Sequence, residues 1–295
     1  MTRLSANLLL LLAAAFWGFG NVAQKTVLEH LDPFSAVGLR CLIAALLVAP
    51  FALSGRTSRP AAHWASLARV STLFSISIAL QQYAYLETSV TNASFLVNTA
   101  TVMTPLAAWL LLGERPASIV VLAAAVTLFG ILLIAGELDT ASRGDLVALL
   151  SAACYALWMV ELGRHTQAHG DAAMAASGQF MLAALLMLPF GLTSGGITGA
   201  AVVAAAPELV ILGVFSTAAA FGIQTVAQRF TTASHAAVIV SAESVFGAAG
   251  AALLLGERLS ATVTLGALIV LAAILLLAIQ SRSQPHRKLI ETKEA

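Results

Sequence analysis

About ten runs of roughly 20 apolar residues, separated by short polar joints, take up nearly all of the 295-residue chain. A helix needs about 20 mostly apolar residues to cross the hydrocarbon of a bilayer, so each run is long enough to span one. Charged residues make up 10% of the sequence, against roughly 25% in a soluble domain, which leaves little material for a water-exposed unit. The runs are rich in Leu, Ala, Val and Ile and lack the polar/apolar alternation of barrel strands. Backbone groups inside a bilayer must be satisfied within the span, so these spans are helices. The expected fold is therefore an all-α membrane protein of ten transmembrane helices over 6–27, 34–54, 64–86, 91–112, 117–135, 145–163, 172–192, 207–229, 233–255 and 261–281. Arg3 followed by an apolar run resembles a secretory signal, but the nine further spans argue for a retained first helix. Cys41 and Cys154 both lie within apolar runs and form no disulfide or metal framework.

A second constraint is internal repetition. Leu-Leu-Leu-Gly-Glu-Arg occupies 110–115 and returns unaltered at 253–258, 143 residues later (257 minus 114), close to half the chain. Each copy joins two apolar runs by a tight turn. Gly113 and Gly256 suit the positive φ that ends a helix, Pro116 suits a first helical turn and Ser260 an N-cap. Five spans per repeat is an odd number, so the second unit enters the membrane from the opposite side. The expected organisation is a first five-helix repeat over 1–139, an inverted second repeat over 140–281 and a polar tail over 282–295. Such repeats usually accompany alternating access.

Basic residues set the orientation. With a cytoplasmic N-terminus, Arg3, Arg56, Arg59, Arg69, Arg115, Arg164, Arg229, Arg282, Arg287, Lys288 and Lys293 all fall on the cytoplasmic side, eleven of fifteen. Lys25, Arg40, Arg143 and Arg258 do not. This bias predicts that both termini are cytoplasmic.

The paired Gly-Glu-Arg turns, together with Ala-Ala-Ala-Phe16-Trp17-Gly18-Phe19 on the first helix, resemble the EamA family of the drug/metabolite transporter superfamily, over nearly the whole chain. Gln81 and Gln224 share the offset of 143, while Trp17 and Tyr155 align at 138. Pro105 resembles the family's kink proline, but its repeat-mate is Ala248. The resemblance implies a ten-helix exporter of small metabolites in the bacterial inner membrane, with bacterial exporters of amino acids, aromatic ones included, as the nearest subgroup. Other members of the superfamily carry nucleosides, drugs or sugar nucleotides, and a fold does not choose a cargo.

Polar groups at bilayer depth should face a cavity rather than lipid. Ala14, Trp17, Asn21 and Gln24 share one helical stripe, as do Ser71, Ser75, Ile78, Gln82 and Tyr85, and Ser94, Asn98, Thr101 and Pro105. The plainer alternative for any one of these is a hydrogen bond between helices. The second repeat offers Ser151, Tyr155, Trp158, Gln179, Thr217 and Gln224. Glu243 lies about ten residues from either end of its run, where a carboxylate costs on the order of 2.5–3.5 kcal/mol on the insertion scale. It reads as a ligand for a substrate ammonium or as a proton-coupling group, the alternative being a protonated or hydrogen-bonded carboxyl that stabilises helix contacts. The aromatic residues Trp17, Tyr83, Tyr85, Tyr155 and Trp158 could stack on a substrate ring or simply fill space. The candidate binding residues are thus Trp17, Asn21, Gln82, Tyr83, Asn98, Tyr155, Trp158, Gln224 and Glu243, with Asn98 or Gln82 supplying donors to a zwitterion. Arg40 is expected to snorkel to the outer interface, Trp64 to anchor in the aromatic belt, and His235 to be interfacial. The fifth and tenth helices carry no amide or charge in mid-span and are expected at the periphery, against lipid or a second protomer of a homodimer.

No Gly-x-Ser-x-Gly, His-Glu-x-x-His or phosphate-cradling glycine loop is present, which argues against a hydrolase or an ATP-driven pump. No cofactor, metal or nucleic-acid partner is expected. A membrane receptor or assembly subunit is the alternative outside transport.

Overall fold

The computed structural model describes residues 1–54, 59–88, 90–113, 115–136, 142–255 and 259–283. Among these the regular structure is helical throughout: α1 (Arg3–Thr26), α2 (Pro33–Leu53), α3 (Ala61–Glu87), α4 (Val90–Asn98), α5 (Ala100–Leu112), α6 (Ser118–Ala135), α7 (Arg143–His169), α8 (Ala172–Thr193), α9 (Gly199–Ala204), α10 (Ala206–Val210), a π-helical stretch Ile211–Ala219, α11 (Ala220–Ala227), α12 (Ala233–Val240), α13 (Glu243–Leu255) and α14 (Ala261–Ser283). A single 3₁₀ turn, Val27–Glu29, extends α1.

Local chemistry sets several boundaries. Asp32 accepts from the backbone N–H of Phe34 and Ser35, and Pro33 takes the first position of α2, where its missing N–H costs nothing. Ser142 and Asp145 form a reciprocal capping box at the start of α7. Ser260 accepts from Val263 N–H at 3.2 Å, the cap expected for α14. Gly113 ends α5 with φ 68°, as the turn motif requires, whereas Pro116 stands just ahead of α6 rather than inside its first turn. Glu114 and the second motif's Gly256, Glu257 and Arg258 lie outside the described residues, as does the tail from 284 onward.

Eight helical stretches are long and apolar enough to cross a membrane: Arg3–Glu29, Pro33–Leu53, Asn92–Leu112, Ser118–Ala135, Arg143–His169, Ala172–Thr193, Ala206–Ala227 and Ala261–Ile279. Two of the ten expected spans are not among them. α3 is 27 residues long, but Arg69, Ser71, Ser75, Ser77, Gln81 and Gln82 dilute its hydropathy. The stretch 233–255 is interrupted at Ser241 and Ala242, which separates α12 from α13. The fourth expected span is likewise interrupted, at Thr99 between α4 and α5.

Packing places polar atoms inside and apolar ones outside. α2 lies along α8, α3 along α7 and α6 along α14; α1 meets α11, α12, α13 and the π-helical stretch, and α7 meets α4 and α5. Leu46, Phe51, Leu122, Phe129, Leu185, Phe190, Leu253, Leu268 and Leu275 are exposed, while Asn21, Gln24, Arg40, Gln82, Gln179, Gln224 and Gln228 are buried. That is the distribution of a chain solvated by lipid. The protein is a multi-pass membrane protein.

Candidate functional site

The centre of the bundle is built where four pieces of backbone leave regular α geometry or come unusually close. Gly18 of α1 passes against α13: a Cβ there would lie 2.6 Å from the Glu243 carbonyl oxygen and 2.7 Å from the Gly247 nitrogen. The break ahead of α13 leaves Glu243 at the first position of that helix. Thr99 interrupts the other broken span 143 residues earlier than Ala242 (242 minus 99), the same interval as the repeated hexapeptide. Glu243 therefore lies near the middle of the stretch 233–255, but at a helix start rather than within a continuous helix. The π-helical stretch supplies the remaining irregularity. Its wider turns free carbonyls, and Ser216 O accepts from Trp17 Nε1 at 2.8 Å.

A chain of polar side chains runs through this centre. Asn21 Nδ2 donates to Glu243 Oε1 at 2.9 Å, and Gln24 Nε2 donates to Asn21 Oδ1 at 3.0 Å. Arg40 Nη1 donates to Gln24 Oε1 at 3.3 Å and, more weakly, to Gln82 Oε1 at 3.5 Å. Arg40 Nε donates to Thr217 Oγ1 at 3.0 Å, and Gln82 Nε2 donates to the Gln24 carbonyl at 2.7 Å. The expectation for Arg40 is thereby corrected: it is 1% exposed and turned inward. The reason is that α1, α3 and the π-helical stretch all present acceptors within its reach, so the head group need not extend to the interface.

Trp17, Gln24, Arg40, Gln81, Val97, Asn98, Ala100, Thr101, Tyr155, Met159, Phe221, Ala237, Val240 and Glu243 line one cavity. Its volume is about 40 Å³, room for about three waters at ~10–15 Å³ each. Asn98 Nδ2 is occupied by the Ser94 carbonyl at 2.8 Å, and Thr101 Oγ1 reaches the Ala237 carbonyl at 3.4 Å. At one wall, the Trp17 and Phe221 rings meet at a tilt (centroids 4.7 Å, interplanar 59°), and behind it Phe221 meets Phe74 (5.0 Å) and Trp158 (5.6 Å).

Of the candidate residues, Trp17, Asn98, Tyr155 and Glu243 line the cavity, and Asn21 holds Glu243 from the side. Gln82 is fully buried one layer behind, bonded to Arg40. Gln224 stands behind Tyr155, whose hydroxyl donates to Gln224 Oε1 at 3.3 Å. Trp158 is enclosed, with Nε1 on Gln179 Oε1 at 2.8 Å and its ring on Tyr155 at 5.0 Å, and does not reach the cavity. Tyr83 is not brought to the site: it is 38% exposed, because one step along α3 from Gln82 turns it about 100° away. Sequence reasoning missed Arg40, Phe221 and the role of Gln24. Gln24 shared the stripe of Trp17 and Asn21, which is a usable signal; Phe221 in an apolar run carried none.

Comparison with known proteins agrees with this architecture. An uncharacterized transporter of Archaeoglobus fulgidus (strain ATCC 49558 / DSM 4304 / JCM 9628 / NBRC 100126 / VC-16) is 26% identical over 285 residues, 94% of this chain and 87% of that protein. A protein of known crystal structure shares the fold, with a TM-score of 0.78 over 96% of this chain and 99% of that one, at 16% identity. The EamA-like transporter family matches residues 4–136 and again 142–279, so the chain belongs to that family and is a membrane transporter.

Proposed function

We propose that this protein is a secondary transporter that exports small metabolites, amino acids including aromatic ones foremost, by alternating access through the central cavity between two inverted repeats, 1–139 and 140–281. The observation that carries the reading is the mid-depth cavity itself, where Glu243, Asn98 and Trp17 meet beside two broken helices. Interrupted helices at corresponding positions of two halves are a recurrent setting for transporter sites.

Helix packing supports the inversion and the ten-span count. Exchanging the halves maps α1 onto α7, α2 onto α8, α3 onto the π-helical stretch with α11, α4 and α5 onto α12 and α13, and α6 onto α14. Under that exchange α2 with α8 and α6 with α14 map onto themselves, α3 with α7 becomes α1 with α11, and α5 with α7 becomes α1 with α13; every one of these contacts is present. The positive-inside bias supports cytoplasmic termini in a bacterial inner membrane. None of this chemistry requires an enzymatic step.

The test is a counterflow screen in proteoliposomes of the purified protein, with labelled amino acids and nucleosides, with and without a pH gradient. Saturable amino-acid exchange absent from empty vesicles is the expected result; exchange of nucleosides alone would favour the reading in which neutral amides and the Trp17–Phe221 pair hold a base. Glu243→Gln is expected to lower amino-acid flux and to flatten its dependence on pH. Unchanged flux at every pH removes Glu243 from the mechanism.

A further inference from the structure

Arg40 and Glu243 line the same cavity yet are not paired with each other. Among the described residues the ion pairs join Arg59 to Asp171 and Glu161 to Arg69 and Arg164; no carboxylate approaches Arg40. Its acceptors are a threonine hydroxyl and two neutral amide oxygens. A guanidinium has five donors in a planar fork. Nε and Nη1 are engaged, and no acceptor in the described residues meets Nη2. Glu243 shows the complementary condition: Oε1 accepts from Asn21 and Oε2 has no donor among the described residues.

A buried charge held only by neutral groups is expensive, and a purely structural arginine would ordinarily be matched with a carboxylate. Here the two opposite charges are held apart by Gln24 and Asn21, bonded in series between them. The amides fix both poles without neutralising either. Each pole keeps an unused group and lines the same cavity, and the fork of Arg40 suits the two oxygens of a carboxylate.

We infer that Arg40 is the carboxylate-binding pole of the central site, that Glu243 receives the ammonium, and that Gln24 and Asn21 are positioning residues that keep the poles separate. The solute class is then a zwitterion bearing both groups close together. A simple amine leaves Arg40 uncompensated, and a simple acid leaves Glu243 uncompensated. This rests on the transport reading above and assigns to Arg40 the carboxylate-donor role first given to Asn98 or Gln82, neutral amides that each already spend one N–H on a backbone carbonyl.

The experiment compares phenylalanine, phenylalaninamide, 3-phenylpropionate and uridine on the full chain. Binding is read by shift of the thermal midpoint in detergent and by quenching of tryptophan fluorescence, and transport by counterflow in liposomes. For the wild type, phenylalanine is expected to bind ~100-fold or more tightly than the amide or the acid, the discrimination shown by sites whose polar groups would otherwise stay unpaired. Arg40→Gln is expected to erase the preference for phenylalanine over its amide while keeping the preference over phenylpropionate; Glu243→Gln should do the reverse, and Arg40→Lys should retain part of the first preference. The wild-type comparison needs no variant to fold. Phenylalanine transported with equal acceptance of its amide, or an Arg40→Gln protein with an undiminished ratio, overturns the assignment and leaves amino-acid transport standing. Uptake of uridine without phenylalanine, or uptake of none of the four, overturns the assignment and the amino-acid reading together.

Discussion

Gln24 engages three of its polar atoms with other polar side chains in the centre of this protein. Its amide nitrogen donates to Asn21, its amide oxygen accepts from Arg40 and its backbone carbonyl accepts from Gln82. Because the amide must donate on one side and accept on the other, its orientation is fixed by its neighbours. Gln24→Glu replaces the donor with a carboxylate beside Arg40 and so supplies internally the partner that a substrate would bring. Zwitterion flux is expected to fall at least about tenfold while the protein remains folded, since charge-assisted bonds of this kind contribute about 1.5–3 kcal/mol; counterflow and thermal midpoint measured together check this. The stripe that brought Trp17, Asn21 and Gln24 to one side was legible from their spacing alone, and so was the burial of Gln82 with Ser71, Ser75, Ile78 and Tyr85. The inward turn of Arg40 was not. Its direction depends on Thr217, 177 positions away along the chain, and no local pattern reports that.

At the scale of the elements, the crossing of α1 and α13 is set by Gly18. Any side chain there meets backbone at 2.6–2.7 Å, so α13 must shift for even a methyl group to fit. Gly18→Ala is expected to destabilise by about 1–3 kcal/mol, as overpacking does, and to lower the thermal midpoint in detergent. Gly222, also helical, has nothing within 4 Å of a built Cβ; Gly222→Ala should leave the midpoint unchanged or raise it, since alanine favours a helix by about 0.5–1 kcal/mol over glycine. Equal losses from both would show that the close approach at this crossing does not govern the effect. The long apolar runs made most helices legible, along with the Gly113 end and the Ser260 cap. The breaks at Thr99 and Ser241–Ala242 were not legible, since neither position carries Gly or Pro. Pro105 lies near the first break, but Ala248 is its counterpart near the second, so proline cannot be the common cause.

The whole molecule shows its organisation most plainly in which helices touch. α6 and α14 pair as a unit through Gly130 and Gly266, where a Cβ on Gly266 would lie 2.5 Å from the Gly130 carbonyl oxygen, while their other faces present Leu122, Phe129, Leu268 and Leu275 outward. If the halves are inverted as proposed, Arg115 and Leu259, both exposed beside the repeated motif, stand on opposite sides of the membrane. Single cysteines at these positions, in a chain with Cys41 and Cys154 replaced, are expected to react with an impermeant thiol reagent from opposite faces of oriented vesicles. Labelling of both from one face would contradict the inversion. The two interruptions also divide their spans in nearly the same proportion, 9 and 13 residues in one and 8 and 13 in the other. Thirteen residues of helix are about 20 Å long, so a pivot of about 10° at either interruption swings the free end of that arm roughly 3 Å, about one water diameter. If the protein works by alternating access as proposed, the break serves as a fulcrum: a small rotation beside Glu243 gives an aperture-sized stroke at the membrane surface, and the arm on its far side can stay still.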